Sequence, residues 1–390
     1  MKILMATDLH LDEDMENFKY LKEFYKFADE KNPDLILALG DIADSGFQGV
    51  DVNTYKQLSQ GLVSQLANHE LSKRSKHKTL EITPYEFYCT FPIIAEEVYF
   101  KKRYPEEIKE ACRVYLDLLD QAEWNLNNIY EIFNHIIGEN RNRTLTLPGN
   151  HDMDLEQTIL KEIDMHKKSK EVKGFKISGY GNAITKDGSP LAVGCPVELT
   201  VPFNEYPHQV SALDERVELV SEPRDFLMQE QPNIVLLHNP MHGYLDFSEF
   251  TKESTGSFGF LQYAQQGLTE LFFSGHIHEA SGIKQLKTNN DKFSVVINPG
   301  CLGNSRTFNE DGQMVPIQGG SFVEVDLDDE TKKFQAAKFY KINILSNGET
   351  IIDAMSTIIR DNQDNLKELV TNQLAINVQY NQLKNQIILK

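Results

Sequence analysis

Aspartate, asparagine and histidine recur in five short clusters whose side chains suit one kind of chemistry. The clusters are Asp8-Leu9-His10, Gly40-Asp41, Gly149-Asn150-His151-Asp152, His238 and Gly275-His276-Ile277-His278. Carboxylate oxygen, amide oxygen and imidazole nitrogen together suit Mn, Fe or Zn, whereas a thiolate-rich set would favour structural zinc or an iron–sulfur cluster. The four cysteines (Cys89, Cys112, Cys195 and Cys301) lie far apart with no CxxC pair. They read as buried thiols, not as a disulfide framework or a zinc knuckle. In Asp8-Leu9-His10 and His276-Ile277-His278 the donors stand two residues apart, which in an extended segment puts both side chains on one side. Glycines at 40, 149 and 275 let the backbone turn sharply enough for the donors to converge.

The elements that must position these residues are short apolar runs. Each cluster directly follows one: Ile3–Ala6, Leu35–Leu39, Leu145–Leu147, Ile234–Leu237 and Leu271–Ser274. The carboxyl ends of strands in α/β sheets are where ligand-binding loops meet. Lys2–Ala6, a helical pattern over Phe18–Glu30 and a second apolar run over Asp34–Leu39 predict an α/β layer architecture. From about Asn53 to Arg143 the composition turns poor in glycine and helix-forming, most clearly over Tyr104–Gly138. Strand-like runs return at Gly174–Ser178, Pro190–Val193 and Ser294–Ile297. Ser321–Leu327 and Lys333–Tyr340 predict a hairpin about Asp328-Asp329-Glu330. In the last forty residues Ile352, Met355, Ile359, Leu366, Leu369 and Val370 recur at helical spacing. The expected organisation is therefore a catalytic domain over 1–52 and 144–345, a helical insertion over 53–143 and a C-terminal helical extension over 346–390.

Bulk properties narrow the partners. The 390 residues carry a net charge of −19, which repels polyanions and argues against broad nucleic-acid binding. The acidity lies outside the insertion, where 12 Lys and Arg stand against 13 Asp and Glu. One basic run, Lys73-Arg74-Ser75-Lys76-His77-Lys78, reads as solvated surface before it reads as a phosphate clamp. The apolar runs are too short to span a bilayer, and Met1 leads straight into the first strand without a signal-peptide pattern. A cytoplasmic location with no membrane partner is the expectation, and the oligomeric state is left open.

In this order the five motifs (Asp-x-His, Gly-Asp, Gly-Asn-His-Asp, His and Gly-His-x-His) resemble the signature of the calcineurin-like metallophosphoesterases across residues 8–278. The resemblance implies a four-layer α-β-β-α sandwich and two divalent metal ions, Mn, Fe or Zn. It implies one ion on Asp8, His10, Asp41 and His278, and a second on Asp41, Asn150, His238 and His276, with Asp41 bridging. A hydroxide bridging the two ions would be the nucleophile, as in other two-metal hydrolases. His151 would act as the acid or charge-stabilising group beside the phosphate, with Asp152 as its orienting partner. Asp152 reads equally as an N-cap or turn residue.

Substrate class is read from flanking residues. Gly40-Asp41-Ile42-Ala43-Asp44-Ser45-Gly46 resembles the Gly-Asp-x-x-Asp-x-Gly form of small-molecule phosphodiesterases. Protein phosphatases of the superfamily place Arg where Ser45 stands. The segments His238-Asn239-Pro240, Tyr244-Leu245-Asp246 and Gly275–Glu279 look closer to small Icc-like phosphoesterases, although many relatives have a second His where this chain has Asn239. The expected activity is hydrolysis of a small phosphodiester or nucleotide. The alternatives are a DNA nuclease of the double-strand-break repair type, which the net charge disfavours, and a scaffold that retains the fold without catalysis. His242 reads as a pocket residue or a plain loop histidine, and Asn298-Pro299-Gly300 as a tight turn. The insertion, between Asp41 and Asn150, is expected to form a cap over the site that narrows the substrate range.

Overall fold

The computed structural model describes residues 1–12, 15–62, 84–101, 104–184, 191–211, 214–308, 313–361, 363–369, 379–381 and 386–388. Lys73–Lys78 lies outside them. Two sheets form the centre. In the first, the strands Lys2–Thr7, Leu35–Leu39 and Thr144–Leu147 run parallel, with Ile3 opposite Leu35 and Leu37 opposite Leu145. Ser321–Leu327, Phe334–Ile344, Thr350–Arg360 and Leu366–Leu369 extend that sheet antiparallel from its other side. In the second, Phe175–Tyr180, Ile234–Leu237, Leu271–Phe273 and Phe293–Asn298 run parallel. Lys168–Val172 closes one side; Gly282–Lys287 and two short strands, Gln386–Ile388 and Gln379–Asn381, close the other.

Strand periodicity sorts the side chains into layers, because alternate residues face opposite sides of a sheet. Ile3, Met5, Leu35, Leu37 and Leu39 meet Ile177, Ile234, Leu236, Leu271, Phe273, Val295 and Ile297 in an apolar core between the sheets. Their neighbours in the strands face outward. Leu4, Ala6, Ile36 and Ala38 pack under helix α1 (Asn17–Lys31), through Phe18, Leu21, Phe24 and Tyr25. Val235, Leu237, Phe272 and Val296 pack under two short helices, Glu222–Glu230 and Phe258–Ala264. The result is the expected α-β-β-α sandwich.

Helix boundaries follow local chemistry. At Asn32 the α1 backbone turns left-handed (φ 47°), its N–H closes on the Ala28 carbonyl, and Pro33 cannot continue the helix. Between the second and third strands of the first sheet come α2 (Val52–Leu62), α3 (Pro84–Phe100) and α4 (Glu106–Ile137). The 32 residues of α4 span about 48 Å at 1.5 Å per residue. They begin on Glu106 and Glu107, favourable at a helix N-terminus, and end at Gly138.

The two halves of α4 do different things. Cys112, Tyr115 and Leu119 join Tyr55, Phe91, Ile94 and Val98 in a small separate core. Leu126, Ile129, Tyr130, Phe133 and Ile137 pack beneath the first sheet as part of its outer layer. The described part of segment 53–143 is thus helical apart from the short connection between α3 and α4, but its last turns are framework.

The C-terminal segment departs from the helical expectation. Thr350–Arg360 and Leu366–Leu369 are strands, and the first pairs with Ala336–Ile344 of the preceding strand. Residue 345 is therefore no boundary of the sheet. Six of its eleven residues (Thr350, Ile351, Ile352, Thr357, Ile358 and Ile359) are β-branched and favour strand. The register shifts where Phe339 pairs with Ser356 and Tyr340 with Ala354, leaving Met355 as the extra residue of a bulge. That one-residue slip breaks the period-2 pattern and imitates helical spacing. Leu191–Val193, expected to be a strand, is loop.

Candidate metal centre

All five motifs lie at the carboxyl edges of the parallel strands, and backbone hydrogen bonds tie them together. Asp8 N donates to the Gly40 carbonyl at 3.2 Å, His10 N to the Asp41 carbonyl at 2.9 Å and Gly40 N to that of Leu147 at 3.0 Å. Gly275 N reaches the His238 carbonyl at 3.1 Å in the second sheet. The two sheets meet where His276 N donates to both Asp8 carboxylate oxygens at 3.0 and 3.1 Å.

Four expected donors occupy left-handed backbone: Asp8 (φ 53°), His10 (44°), Asp41 (44°) and His276 (68°). Such conformations cost about 1–3 kcal/mol each outside glycine and persist at functional sites because the surroundings impose them. The glycines have a second function, which is to leave room. A Cβ at Gly149 would lie 2.1 Å from Asp41 Oδ1, and one at Gly275 would lie 2.0 Å from Thr7 Oγ1 and 2.8 Å from Asp8 Oδ2.

Two donor groups form. Asp8, His10, Asp41 and His278 place one ligand atom each within 4.8 Å of one another, and so do Asp41, His238 and His276. Asp41 belongs to both. Asn150 joins the second group, its Oδ1 lying 3.0 Å from His238 Nε2, which is itself 3.4 Å from Asp41 Oδ1. In the first group the Nε2 atoms of His10 and His278 face each other at 3.0 Å, and His278 Nε2 lies 3.5 Å from Asp8 Oδ1. Imidazole nitrogens aimed at one point beside a buried carboxylate fit a shared cation. The far side of the His278 ring is held by Ser305 Oγ, 2.9 Å from Nδ1, as orienting groups hold metal-binding histidines.

The electrostatics agree with that fit. Burial alone would raise Asp41, yet the imidazoles of His238, His151 and His10 hold it well below the ordinary carboxylate range. Asp8 is likewise driven up by burial but brought below its usual value by His278 and His238. Burial opposes protonation of His238, but Asp41 and then Asp8 overcome it and lift that imidazole to about 9. His276, buried and next to His238, is pushed down to about 3. Two buried carboxylates thus create a strongly negative site that draws positive charge, the condition a divalent cation satisfies.

The structure alters one expected role. Asp152 does not orient the His151 ring. Its carboxylate accepts from Gly149 N (2.9 Å), Ile42 N (3.0 Å), Ala43 N (3.1 Å) and the Tyr130 hydroxyl (3.1 Å), and so staples the second and third motifs together. The reason is geometric: Asp152 is buried behind the loop, while His151 lies at its partly exposed front. The His151 Nδ1–H donates to the Asp44 carbonyl, and His151 N donates to Asp41 Oδ1 at 2.9 Å. The Asp44 carboxylate lies 3.3 Å from His10 Nδ1, so His10, Asp44 and His151 form a third close group.

His242 stacks on Phe258 and lies 3.7 Å from Asp246, in the loop after His238 and outside the donor groups. Asn298 forms the expected turn, accepting from Gly300 N, and also donates to the carbonyl of Ile277 between the two fifth-motif histidines. Asp44 stood within a recognisable motif. Tyr130 and Ser305 carried no local signal, because each reaches the site only through the fold.

The calcineurin-like phosphoesterase family model matches residues 1–108, which contain the first two motifs. No curated protein is significantly similar to the chain. Among solved structures, the protein TT1561 of Thermus thermophilus is similar at 14% identity and a TM-score of 0.31, with 81% of this chain and 98% of that chain covered. A dimetal phosphatase from Danio rerio is similar at 8% identity and a TM-score of 0.38, with 91% and 98% covered. The family match covers the first two motifs, and the fold brings the remaining three against them: over residues 1–108 the chain is similar to the calcineurin-like phosphoesterase family.

Proposed function

We propose that the protein hydrolyses a small phosphodiester, using two divalent cations. The observation that carries this reading is the position of Asp41 in both donor groups, as a carboxylate bridging two ions would require. In this reading Asp8, His10, Asp41 and His278 hold one ion, and Asp41, Asn150, His238 and His276 the other. Mn, Fe and Zn all suit these oxygen and nitrogen donors. When bound, such a pair supplies Lewis-acid charge and a more acidic water.

The chain's own residues do the rest. The Asp44 carbonyl can only accept, so it fixes the proton of His151 on Nδ1 and leaves Nε2 as the atom that gives or takes a proton. His151 N holds Asp41 from the side, keeping the central carboxylate at one angle. The preference for a diester rests on the Asp44-Ser45-Gly46 context, where Ser45 replaces the Arg of protein phosphatases. Retention of the whole donor set counts against a scaffold role, and the net charge of −19 against a nuclease.

The test is metal-depleted protein reconstituted with Mn²⁺ or Zn²⁺ and offered an aryl phosphodiester, an aryl phosphomonoester and single-stranded DNA. Turnover of the diester at two bound ions per chain is expected. Hydrolysis of the monoester alone overturns the diester preference; no hydrolysis of any ester at full metal occupancy overturns the enzyme.

A further inference from the structure

A stretch of loop, Val193–Leu199, runs from the small helical core formed by α2, α3 and the first half of α4 to the metal centre. At its near end Val193 N donates to the Asn150 carbonyl at 3.1 Å, and the Gly194 carbonyl accepts from Gly46 N at 2.7 Å. Gly194 lies so close to the site that a Cβ there would stand 2.3 Å from the Asp44 carbonyl oxygen and 2.5 Å from His151 Nδ1. These are the two atoms that fix the His151 tautomer. The Leu199 carbonyl accepts from Asp154 N at 2.8 Å, so the loop is tied at both ends to the segment that carries the third motif.

At the far end is Glu198. Its carboxylate accepts from the Tyr115 hydroxyl at 2.8 Å, from the Tyr55 hydroxyl and from Ser59 Oγ at 3.4 Å. All three donors come from the helical unit, and the Tyr55 and Tyr115 rings stack at 5.9 Å with 13° between planes. Burial, and then the carboxylate itself, push both phenols far above their ordinary range, so both stay protonated and donate. Leu199 packs against both the helical core and the main core.

We propose that Glu198 is a positioning residue: through its hydrogen bonds to Tyr55 and Tyr115 the helical unit sets loop Val193–Leu199, and that loop, through Gly194, sets the His151 ring. The segment between the second and third motifs then reaches catalysis by holding the proton-transfer group in place. This proposal rests on the reading of His151 as that group. Misplacing a reacting group by about 1 Å costs on the order of 100-fold in rate.

The test uses the full chain, zinc-loaded and labelled with nitrogen-15 histidine, as wild type and as Glu198→Ala, Glu198→Gln and Tyr115→Phe. His151 ring signals are identified by their loss in His151→Gln. In Glu198→Ala the His151 ring signals are expected to shift while those of His238 stay. Zinc content should be unchanged and kcat on an aryl phosphodiester about 10- to 100-fold lower, with KM changed less than about threefold. Glu198→Gln, which keeps oxygen and nitrogen at the phenols, should recover most of the rate. Tyr115→Phe touches nothing in the site and should show a weaker form of the same shift; it also decides the matter if Glu198→Ala does not fold. Wild-type His151 signals in folded Glu198→Ala or Tyr115→Phe overturn the proposal, even if that variant is less stable. If the wild-type protein hydrolyses no ester, the enzyme reading fails by itself, and the His151 signals alone decide whether the clamp exists.

Discussion

At the scale of single residues, the centre depends on atoms that are absent as much as on those present. Gly149 is the clearest instance. Replacing it with alanine would place a methyl group 2.1 Å from Asp41 Oδ1 and 2.7 Å from His238 Cε1. Neither can retreat, because His151 N holds Asp41 and Gly40 backs His238. Gly149→Ala is therefore expected to bind fewer than two metal equivalents by elemental analysis of the dialysed protein. His151→Ala separates chemistry from binding. His151 belongs to neither donor group around Asp41, so the variant should keep its metal content, while kcat on the diester falls about 100- to 10,000-fold, the usual range for a general acid or base. An unchanged kcat would remove His151 from the mechanism.

At the scale of elements, α4 links framework to site. Tyr130 sits where α4 passes under the first sheet, donating to Asp152 and accepting from Met153 N at 3.0 Å. One hydroxyl thus anchors the back of the Gly149–Asp152 loop. Tyr130→Phe keeps the ring in its packing but removes one of the two hydrogen bonds to Asp152 Oδ1 and strands the buried Met153 N–H, at a cost of about 1–3 kcal/mol. A lowered urea midpoint with unchanged slope is the expected outcome. Higher on the same helix, Asn125 donates to the carbonyls of Gly46 at 2.8 Å and Gln48 at 2.7 Å, fixing the loop that carries Asp44. Deleting the insertion through residue 135 would take Leu126, Ile129, Tyr130 and Phe133 out of the main core. It would unfold the protein before it reported on substrate choice.

For the whole molecule, pH acts on stability through groups remote from the centre. His166 accepts from Gly181 N at 3.0 Å through Nδ1, which requires a neutral ring at that atom, and burial with Lys167 and Lys168 pushes it down to about 3. An unfolded His binds its proton near 6.5. As pH falls from about 6.5 towards 3 the unfolded chain therefore gains a proton that the folded chain refuses, and stability is lost across that window. Asp164 works the other way. Burial lifts it to about 6, so the folded state holds a proton that the unfolded chain releases, and stability is lost as pH rises from about 4 to 6. His166→Asn keeps an acceptor for Gly181 N and removes only the first effect. Relative to wild type its urea midpoint should improve steadily from pH 7 to pH 4.5; a constant difference would show that His166 is not held neutral. Among the described residues no helix is long and apolar enough to cross a membrane.

How much of this was legible beforehand differs by kind of information. Residue type and order pointed to the candidate donors, since Asp, Asn and His placed after strand ends suit a hard or borderline cation. The apolar runs at Ile3–Ala6, Leu35–Leu39 and Ile234–Leu237 are short and buried on both faces, a pattern that depends on few neighbours. The strand Thr350–Arg360 was not legible, because a bulge at Met355 is set by its partner strand and disguises the period. Nor was the true partner of His151. The amino-acid sequence determined which atoms could bind metal. Only the tertiary structure decided that Asp152 staples loops from behind while the Asp44 carbonyl orients His151, and that Tyr130 and Glu198, distant in the chain, hold the loops on either side. Such contacts depend on where two backbones pass each other in space, and no local spacing records that.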